Sequence, residues 1–353
     1  DEDICEYKKI GCTINGVDYQ CEVKRKGNAS WRKLDDKASF KIKTYAYGSD
    51  WDDKVSLVYA NESCTDGVCP PFPQSGDEGR NVWRTDKITV NNQIQHDGEI
   101  DAYRVFRQFV PASIARQVRV TLYRGETRVR TDHYAIVETV DNVNFMEKWF
   151  GDDYQVYDIE YGISYYQNEE EELAGSYETY DPIKEENVTA YDHSLVSGPA
   201  ILPNTTTMRD MNLQNMHQDA LMRYYAAEVV TNHWDGACLS ENPLWNNNHY
   251  LVYHNGAWQV VPWGLDQTYT CSNNNPPLRR WSLDMNPQCR PMKQCFDDAD
   301  CKAQYEGVLQ QVQAYNKRAV PCTTFVYDVV SSTLNTVVPL LLVPVVLGVY
   351  KAW

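Results

Sequence analysis

The sequence predicts an α+β protein, strand-rich in its N-terminal part and built on a helix and a hairpin in its C-terminal part. Three patterns point there. QVRVTLYR (117–124) and DHYAIVETV (132–140) alternate in polarity on either side of a turn holding Gly125, Glu126 and Thr127, as paired strands do. Residues 208–233 repeat apolar side chains such as Met216, Leu221, Tyr224 and Ala227 at roughly helical spacing. HYLVYH (249–254) and AWQVVPW (257–263) flank Asn255-Gly256, the strongest short-range hairpin signal.

The remaining elements follow in chain order. Residues 1–140 read as mostly strands, with VDYQCEVKRKG and KASFKIKTYAYG (37–48) among them. In the latter, Phe40 and Ile42 alternate with Lys41 and Lys43, the pattern of a half-buried strand. Residues 60–82 carry Cys64, Cys69, Pro70, Pro71 and Pro73 and read as a loop. FMEKWFG (145–151) predicts a short helix ended by Gly151. Residues 152–207, with Glu169 to Glu172 and few aliphatics, predict an acidic, irregular surface insertion. Residues 271–301 hold four cysteines, and 302–319 read as a helix.

Composition excludes some functions. With 33 basic and 49 acidic side chains the net charge is −16 over 353 residues. Nucleic-acid binding, which draws affinity from Lys and Arg on phosphates, is not expected, nor is a polybasic membrane anchor. The 11 cysteines lack the paired CxxC spacing of a zinc site and suit a disulfide framework in an oxidising compartment. Sequons at Asn28, Asn61, Asn187 and Asn204 agree, so a secreted or cell-surface protein is expected. Val337–Tyr350 is apolar, is interrupted by Pro339 and Pro344, and follows Ser331, Ser332 and Thr333. It is short for a membrane helix, which needs about 20 residues. It reads as a membrane or GPI-type attachment signal, or as a buried C-terminal segment.

One arrangement carries chemistry. Asp235 follows the predicted helix, Asn248 follows a polar loop, and Asp266 follows the hairpin. Phosphoryl transfer by kinases uses an Asp that accepts the substrate hydroxyl proton, then an Asn and a second Asp that hold Mg²⁺. The residue types and their order match. The spacing does not, because Asn248 lies 13 positions after Asp235, against about five in the ordinary kinase loop. The kinase DFG triplet is replaced by Gly264-Leu265-Asp266.

Four blocks, in order, resemble a known family. They are KGNASW (26–31), KASFKIK (37–43), VTLYRGETRVRTDHYAIVETVDN (120–142), and NHWDG, NNNHYLVY and VVPWGLDQTY within 232–269. They are similar to the RGNSTW, PKKSYRIKF, NGEYxG–YxLxE and HDR–HNYYLY–IPWDYDxT motifs of the CotH family, spore-coat proteins that are atypical secretory-type protein kinases. The resemblance covers roughly 20–270. It implies a two-lobed, atypical protein-kinase-like fold in a single domain over 1–330, with 1–140 the smaller lobe, 141–330 the larger, and 331–353 an apolar tail. It implies that Asp235 is catalytic, that Asn248 and Asp266 bind Mg²⁺ or Mn²⁺, and that Lys37 or Lys41 pairs the ATP phosphates. Gly27, Asn28 and Ser30 match the turn over those phosphates. Glu138 matches the family's Glu, as an ion-pair partner or a neighbour of the adenine. The substrate it implies is a protein hydroxyl in the secretory pathway or at the cell surface.

Departures from the motifs are specific. Gly236 stands for the HDR Arg, Lys26 for the RGNS Arg, and Gly264 for the first Asp of WDYD, while Asn28 lies in a sequon. They favour a second reading, a non-catalytic adhesin or coat protein on the same fold. A third, glycan binding or processing, rests on the aromatics and paired acids alone. His217, His233 and His249 match no metal motif and are expected to be core or surface residues. Cys238 and Cys271 lie three residues after Asp235 and five after Asp266, and a bridge between them would staple the two loops.

Overall fold

The computed structural model describes residues 7–14, 17–26, 37–45, 57–59, 83–85, 87–92, 96–160, 163–166, 176–181, 186–191, 208, 211–239, 248–269 and 289–317. All fall within one contact unit, residues 1–270 and 286–320. A second unit, 271–285 with 321–353, and with it the apolar tail, lies outside the described residues. The fold is mixed α+β.

The N-terminal strands are β1 (Lys8–Ile14), β2 (Val17–Lys26), β3 (Ser39–Tyr45), the short pair β4 (Leu57–Tyr59) and β5 (Trp83–Thr85), and β6 (Lys87–Asn91). Helix α1 (His96–Phe109) precedes the long hairpin of β7 (Ala115–Arg124) and β8 (Thr127–Glu138). Six of these strands form one antiparallel sheet in the order β1-β2-β3-β6-β8-β7. Alternation in β3 and β6 puts Phe40, Ile88 and Val90 on one face, where they meet Ala38, Tyr134 and Ile136 in a core cluster. The lysines of the same strands therefore line the opposite face.

Helix α2 (Val143–Phe150) is capped by Asn142, whose side chain accepts the Asn144 N–H, and ends at Gly151 with φ 75°, so the short helix stands where expected. Strands β9 (Gln155–Glu160), β10 (Ile163–Tyr166), β11 (Ser176–Asp181) and β12 (Glu186–Tyr191) follow. β9 is central to a four-stranded sheet, β10-β9-β13-β14, completed by β13 (His249–His254) and β14 (Ala257–Pro262). Its Val156, Tyr157 and Ile159 are buried. The start of 152–207 is thus a core strand rather than a surface insertion, because the successive side chains of Val156, Tyr157, Asp158 and Ile159 are all buried.

Helix α3 (Gln218–Thr231) is buried at Tyr224, Tyr225, Ala226, Ala227 and Glu228 in succession. It packs on α1, on β14 and on α5 (Ala299–Tyr315), with the short α4 (Arg290–Asp297) alongside. A helix covered on all sides has little amphipathic signature. It begins ten residues later than the expected 208 because the preceding chain pairs with β14: Met216 bridges Trp258, and the His217 N–H donates to the Trp258 carbonyl at 2.8 Å. Two helices were not expected. α1 falls in the segment read as strands, and α4 in the cysteine-rich segment.

Disulfides join Cys12–Cys21, Cys238–Cys289 and Cys295–Cys301. The expected Cys238–Cys271 staple is corrected: Cys238 pairs with Cys289, tying the loop after α3 to the start of α4. Among the described residues no helix is long and apolar enough to cross a membrane.

Candidate functional site

The site is built where α3 ends. Asn232 takes the left-handed conformation (φ 55°), and its N–H returns to the carbonyls of Glu228 and Val229, a cap that reverses the chain. The reversal carries His233 and Asp235 back along the last helical turn, with the His233 N–H on the Glu228 carbonyl at 2.9 Å. His233 Nδ1 then stands 3.2 Å from Asp235 Oδ1. Glu228 is fully buried and accepts the Cys238 N–H at 3.1 Å and the Tyr224 hydroxyl at 3.3 Å. Burial pushes its carboxyl up to about 7, against the pull of His233. A side chain at position 236 would overlap the Glu228 carboxylate and the His233 ring. Gly236 is therefore what this close packing requires, and an Arg has no room there.

The hairpin supplies the facing wall. Asn248, just before β13, is also left-handed (φ 56°). Its carbonyl accepts the Trp263 N–H at 3.0 Å, and its carboxamide N donates to Asp235 Oδ2 at 2.7 Å. Gly264 follows β14 with φ 58°, and a Cβ there would overlap the Asn248 carboxamide. An Asp at 264 would displace the very residue that orients Asp235. Asp266 sits in the one-turn helix Leu265–Gln267. That turn is closed by Thr268, whose hydroxyl donates to the Leu265 carbonyl at 2.7 Å, and it is tied to α3 by the Tyr269 N–H on the Thr231 carbonyl at 2.8 Å. Burial, and then the charge of Asp235, push Asp266 up to about 6, while Lys26 and His233 pull it down.

Lys26, at the end of β2, is the cation that faces this acid pair. Its ammonium lies 4.7 Å from the centre of the Trp263 ring and 3.4 Å from Asn91 Oδ1. Asn91 in turn donates to Glu99 of α1 at 2.6 Å. Sheet, helix and hairpin thus meet through one polar chain. Buried Tyr103 of α1 senses the charges of Glu99 and Asp266, and burial above all pushes its phenol well up.

Of the residues expected from sequence, Asp235, Asn248 and Asp266 come together. Lys37 lies elsewhere, its ammonium 5.2 Å from the centre of the Tyr134 ring and near Asp132 and Arg130. Lys41 is on the lysine face of the sheet, opposite Lys24. Glu138 is a buried ion-pair partner: Lys148 donates to it at 2.9 Å, the Ile114 N–H at 3.1 Å, and Arg107 stands 3.9 Å away. Gly27, Asn28 and Ser30 lie outside the described residues. His233, expected as a core or surface residue, is buried but also touches Asp235. Lys26, Glu228, Asn91 and Glu99 carry no role predicted from the sequence. The signal for Lys26 was its place in KGN; for the others there was none short of the fold.

Among the described residues no three His, Cys, Asp or Glu side chains converge as a metal-ligating group. The donor set nevertheless fits a hard divalent cation. Mg²⁺ keeps several waters and is commonly held by one or two carboxylates, and here the half-buried carboxylate of Asp266 is repelled by a second, Asp235. The Asn248 carboxamide oxygen, on the Gly264 side, is a further hard donor. No family model and no curated protein matches the chain.

Proposed function

We propose that this chain is a CotH-type phosphotransferase, moving the γ-phosphoryl group of ATP to Ser or Thr hydroxyls of a protein substrate. The observation that carries the reading is the meeting of Asp235, Asn248 and Asp266 at one place with Lys26 beside them. These residue types come in the chain order found in protein kinases. Neither glycine that departs from the family motifs need mark a lost site, since packing against Glu228 and Asn248 accounts for both.

In this reading Asp266 and the Asn248 oxygen would hold Mg²⁺ or Mn²⁺, which would supply positive charge against the nucleotide phosphates. Asp235 accepts the proton of the attacking hydroxyl as its oxygen bonds to the γ-phosphorus and the bond to the β-phosphate oxygen breaks, releasing ADP. The Asn248 amide keeps one carboxylate oxygen of Asp235 engaged and so fixes the direction of the other. Lys26 offers a mobile point charge for the transferring group. The fold's three described disulfides suit a secreted or cell-surface setting, and the net charge of −16 suits a protein partner rather than nucleic acid.

The test is phosphate transfer from γ-labelled ATP with Mg²⁺ or Mn²⁺, alongside Asp266→Ala, with nucleotide binding measured for both. Transfer by the wild type and not by the variant supports the reading. Equal, background transfer with no nucleotide binding would overturn it in favour of a non-catalytic surface or coat protein.

A further inference from the structure

The β7 edge of the six-stranded sheet has a chemistry of its own. β7 ends the strand order, and among the described residues no strand pairs with its outer side. It is ten residues long, and a long open edge is a template for another strand. The β7–β8 hairpin carries five arginines, Arg116, Arg119, Arg124, Arg128 and Arg130, in a chain whose net charge is −16. Its acids do not balance them. Glu126 lies in the turn, Asp132 pairs with Arg130, and Glu138 is buried with Lys148 and Arg107. Arg119 and Arg128 are exposed and make no hydrogen bond or ion pair among the described residues.

Alternation sorts β7 into two rows. Val118, Val120 and Leu122 pack against the core cluster yet are only partly buried. Gln117, Arg119 and Thr121 take the other face, opposite Ala135, His133 and Thr131 of β8. A register shift between Leu122 and Tyr123 sets Tyr123 opposite Arg128 and leaves Val129 without an opposite residue. Tyr123 is 64% exposed and Val129 38%, two of the four large apolar side chains exposed among the described residues. Towards the start of β7 this face is closed, since Ala135 and Val137 are buried, whereas Thr131 and His133 beyond them are exposed. The open stretch, from Arg119 to the turn, therefore offers an unpaired backbone edge, a half-covered apolar row, and a cationic row ending in an exposed aromatic ring.

We propose that β7 takes up, as a further strand, an extended segment of a protein partner in which acidic and apolar side chains alternate. In strand addition the main chain supplies affinity and the alternate side chains supply specificity. The partner's apolar row covers Val118, Val120 and Leu122, and its acidic row meets Arg119 and Arg128, since opposite charges directly across a sheet attract. A second copy of this chain fits less well. Antiparallel pairing of two β7 strands about Val120 sets Arg116 opposite Arg124 and gathers the arginines of both copies without an acid. The charge that opposes self-pairing is the charge that selects an acidic strand. Gln117, Ala135 and Asn91 share one row across β7, β8 and β6, and Asn91 accepts from Lys26. The segment thus docks on the face of the sheet that carries Lys26. Docking needs no metal and no transfer step, so it goes beyond the phosphotransferase reading and does not depend on it.

The test is fluorescence anisotropy of a labelled peptide of about eight residues, alternating Glu and Val with blocked ends, titrated with the full chain at roughly 0.15 M salt. The wild type should bind it, and should not bind the peptide alternating Lys and Val. Arg119→Glu/Arg128→Glu should bind the acidic peptide at least about tenfold more weakly. Lys8→Glu/Lys9→Glu, the same change on the opposite edge strand β1, should bind like the wild type. Two further acidic peptides, N-methylated at one or the other set of alternate residues, keep the charge but block strand pairing on one side. At least one of them should lose binding to the wild type. Failure of the wild type to bind, or equal binding by the variant at 119 and 128, would overturn the proposal. Equal binding of both N-methylated peptides would do so too, since charge alone would then suffice. Self-association of the wild type that the acidic peptide dissolves would assign the edge to a second copy and likewise overturn it. Peptide binding with no phosphotransfer would leave this surface standing and remove only the catalytic reading.

Discussion

The Asn248 carboxamide donates to Asp235 Oδ2 at 2.7 Å, joining two residues 13 positions apart. A spacing unlike that of ordinary kinases thus still ends in a direct contact. A hydrogen bond to a charged group is worth about 1.5–3 kcal/mol. Replacing Asn248 by Ala should therefore lower phosphotransfer by about tenfold to a hundredfold, chiefly in kcat, and should also lower the melting temperature, because Ala tolerates the left-handed conformation at this position less well than Asn. Steady-state kinetics on the variant would check this, and an unchanged kcat would contradict it.

Gly264 is left-handed and lies against that same carboxamide. Replacement by Ala should destabilise the fold by about 1–3 kcal/mol, the usual cost of a side chain held in that region, with the overlap adding to it. Replacement by Asp should be worse for activity than Ala, since a larger side chain pushes Asn248 off Asp235. Urea denaturation and a transfer assay on both variants would decide. A stability within half of the lower figure would mean that Asn248 yields freely.

Glu228 makes stability depend on pH. Its carboxyl is pushed up to about 7 in the folded protein, from 4.5. The native state therefore holds a proton that the unfolded chain has already lost, and stability falls as pH rises from about 4.5 to about 7. His233 is raised as well, with Asp235 and Glu228 as the favourable causes, so the stability it contributes is present below its ordinary value and is also lost on raising pH. Glu228→Gln should remove the carboxylate part. The variant should match the wild type near pH 4.5 and exceed it by about 1–3 kcal/mol at pH 8, measured by denaturation across that range. A variant less stable than the wild type at pH 8 would show that the carboxylate is satisfied by its neighbours.

The Cys238–Cys289 bridge closes a loop of 51 residues just beyond Asp235. On chain-entropy grounds, cutting it should cost about 4 kcal/mol or somewhat less. The Cys238→Ala/Cys289→Ala double variant should melt lower and should lose affinity for Mg²⁺-ATP, because the Cys238 N–H also holds Glu228. Melting curves and nucleotide titration would test both parts. Lost stability with full affinity would confine the bridge to a purely structural role.

Much of this molecule was legible in its sequence where the signals are local. The Asn255-Gly256 turn, the β7–β8 hairpin and the capped helix α2 are each specified by residues within a few positions of one another. The acid pair was legible as residue types in order. What escaped depends on distant partners. α1 falls in a segment, 1–140, whose pattern reads as mostly strands, although Tyr103 and Phe106 lie on one helical face and both are buried. Lys37 and Lys26 could not be ranked as phosphate ligands from sequence. Lys37 is left-handed (φ 64°) just before β3, and a residue outside the strand's alternation can point anywhere. Cys238 chose Cys289 because α4 packs beside α3, a tertiary fact with no local trace.

The Asn255-Gly256 turn has a consequence for the far end of its hairpin. Both residues are left-handed, at φ 49° and 82°, and they set the pairing from His254↔Ala257 down to His249↔Pro262. At about 3.4 Å per residue, six-residue strands put the turn roughly 20 Å from Asn248 and Gly264. A slip of one residue at the turn would reverse which side chains of one strand face inward and part the carboxamide from the glycine that makes room for it. The turn touches no reacting group, yet it works as a gauge block: the alignment of Asn248 with Asp235 can be no better than the registration it imposes.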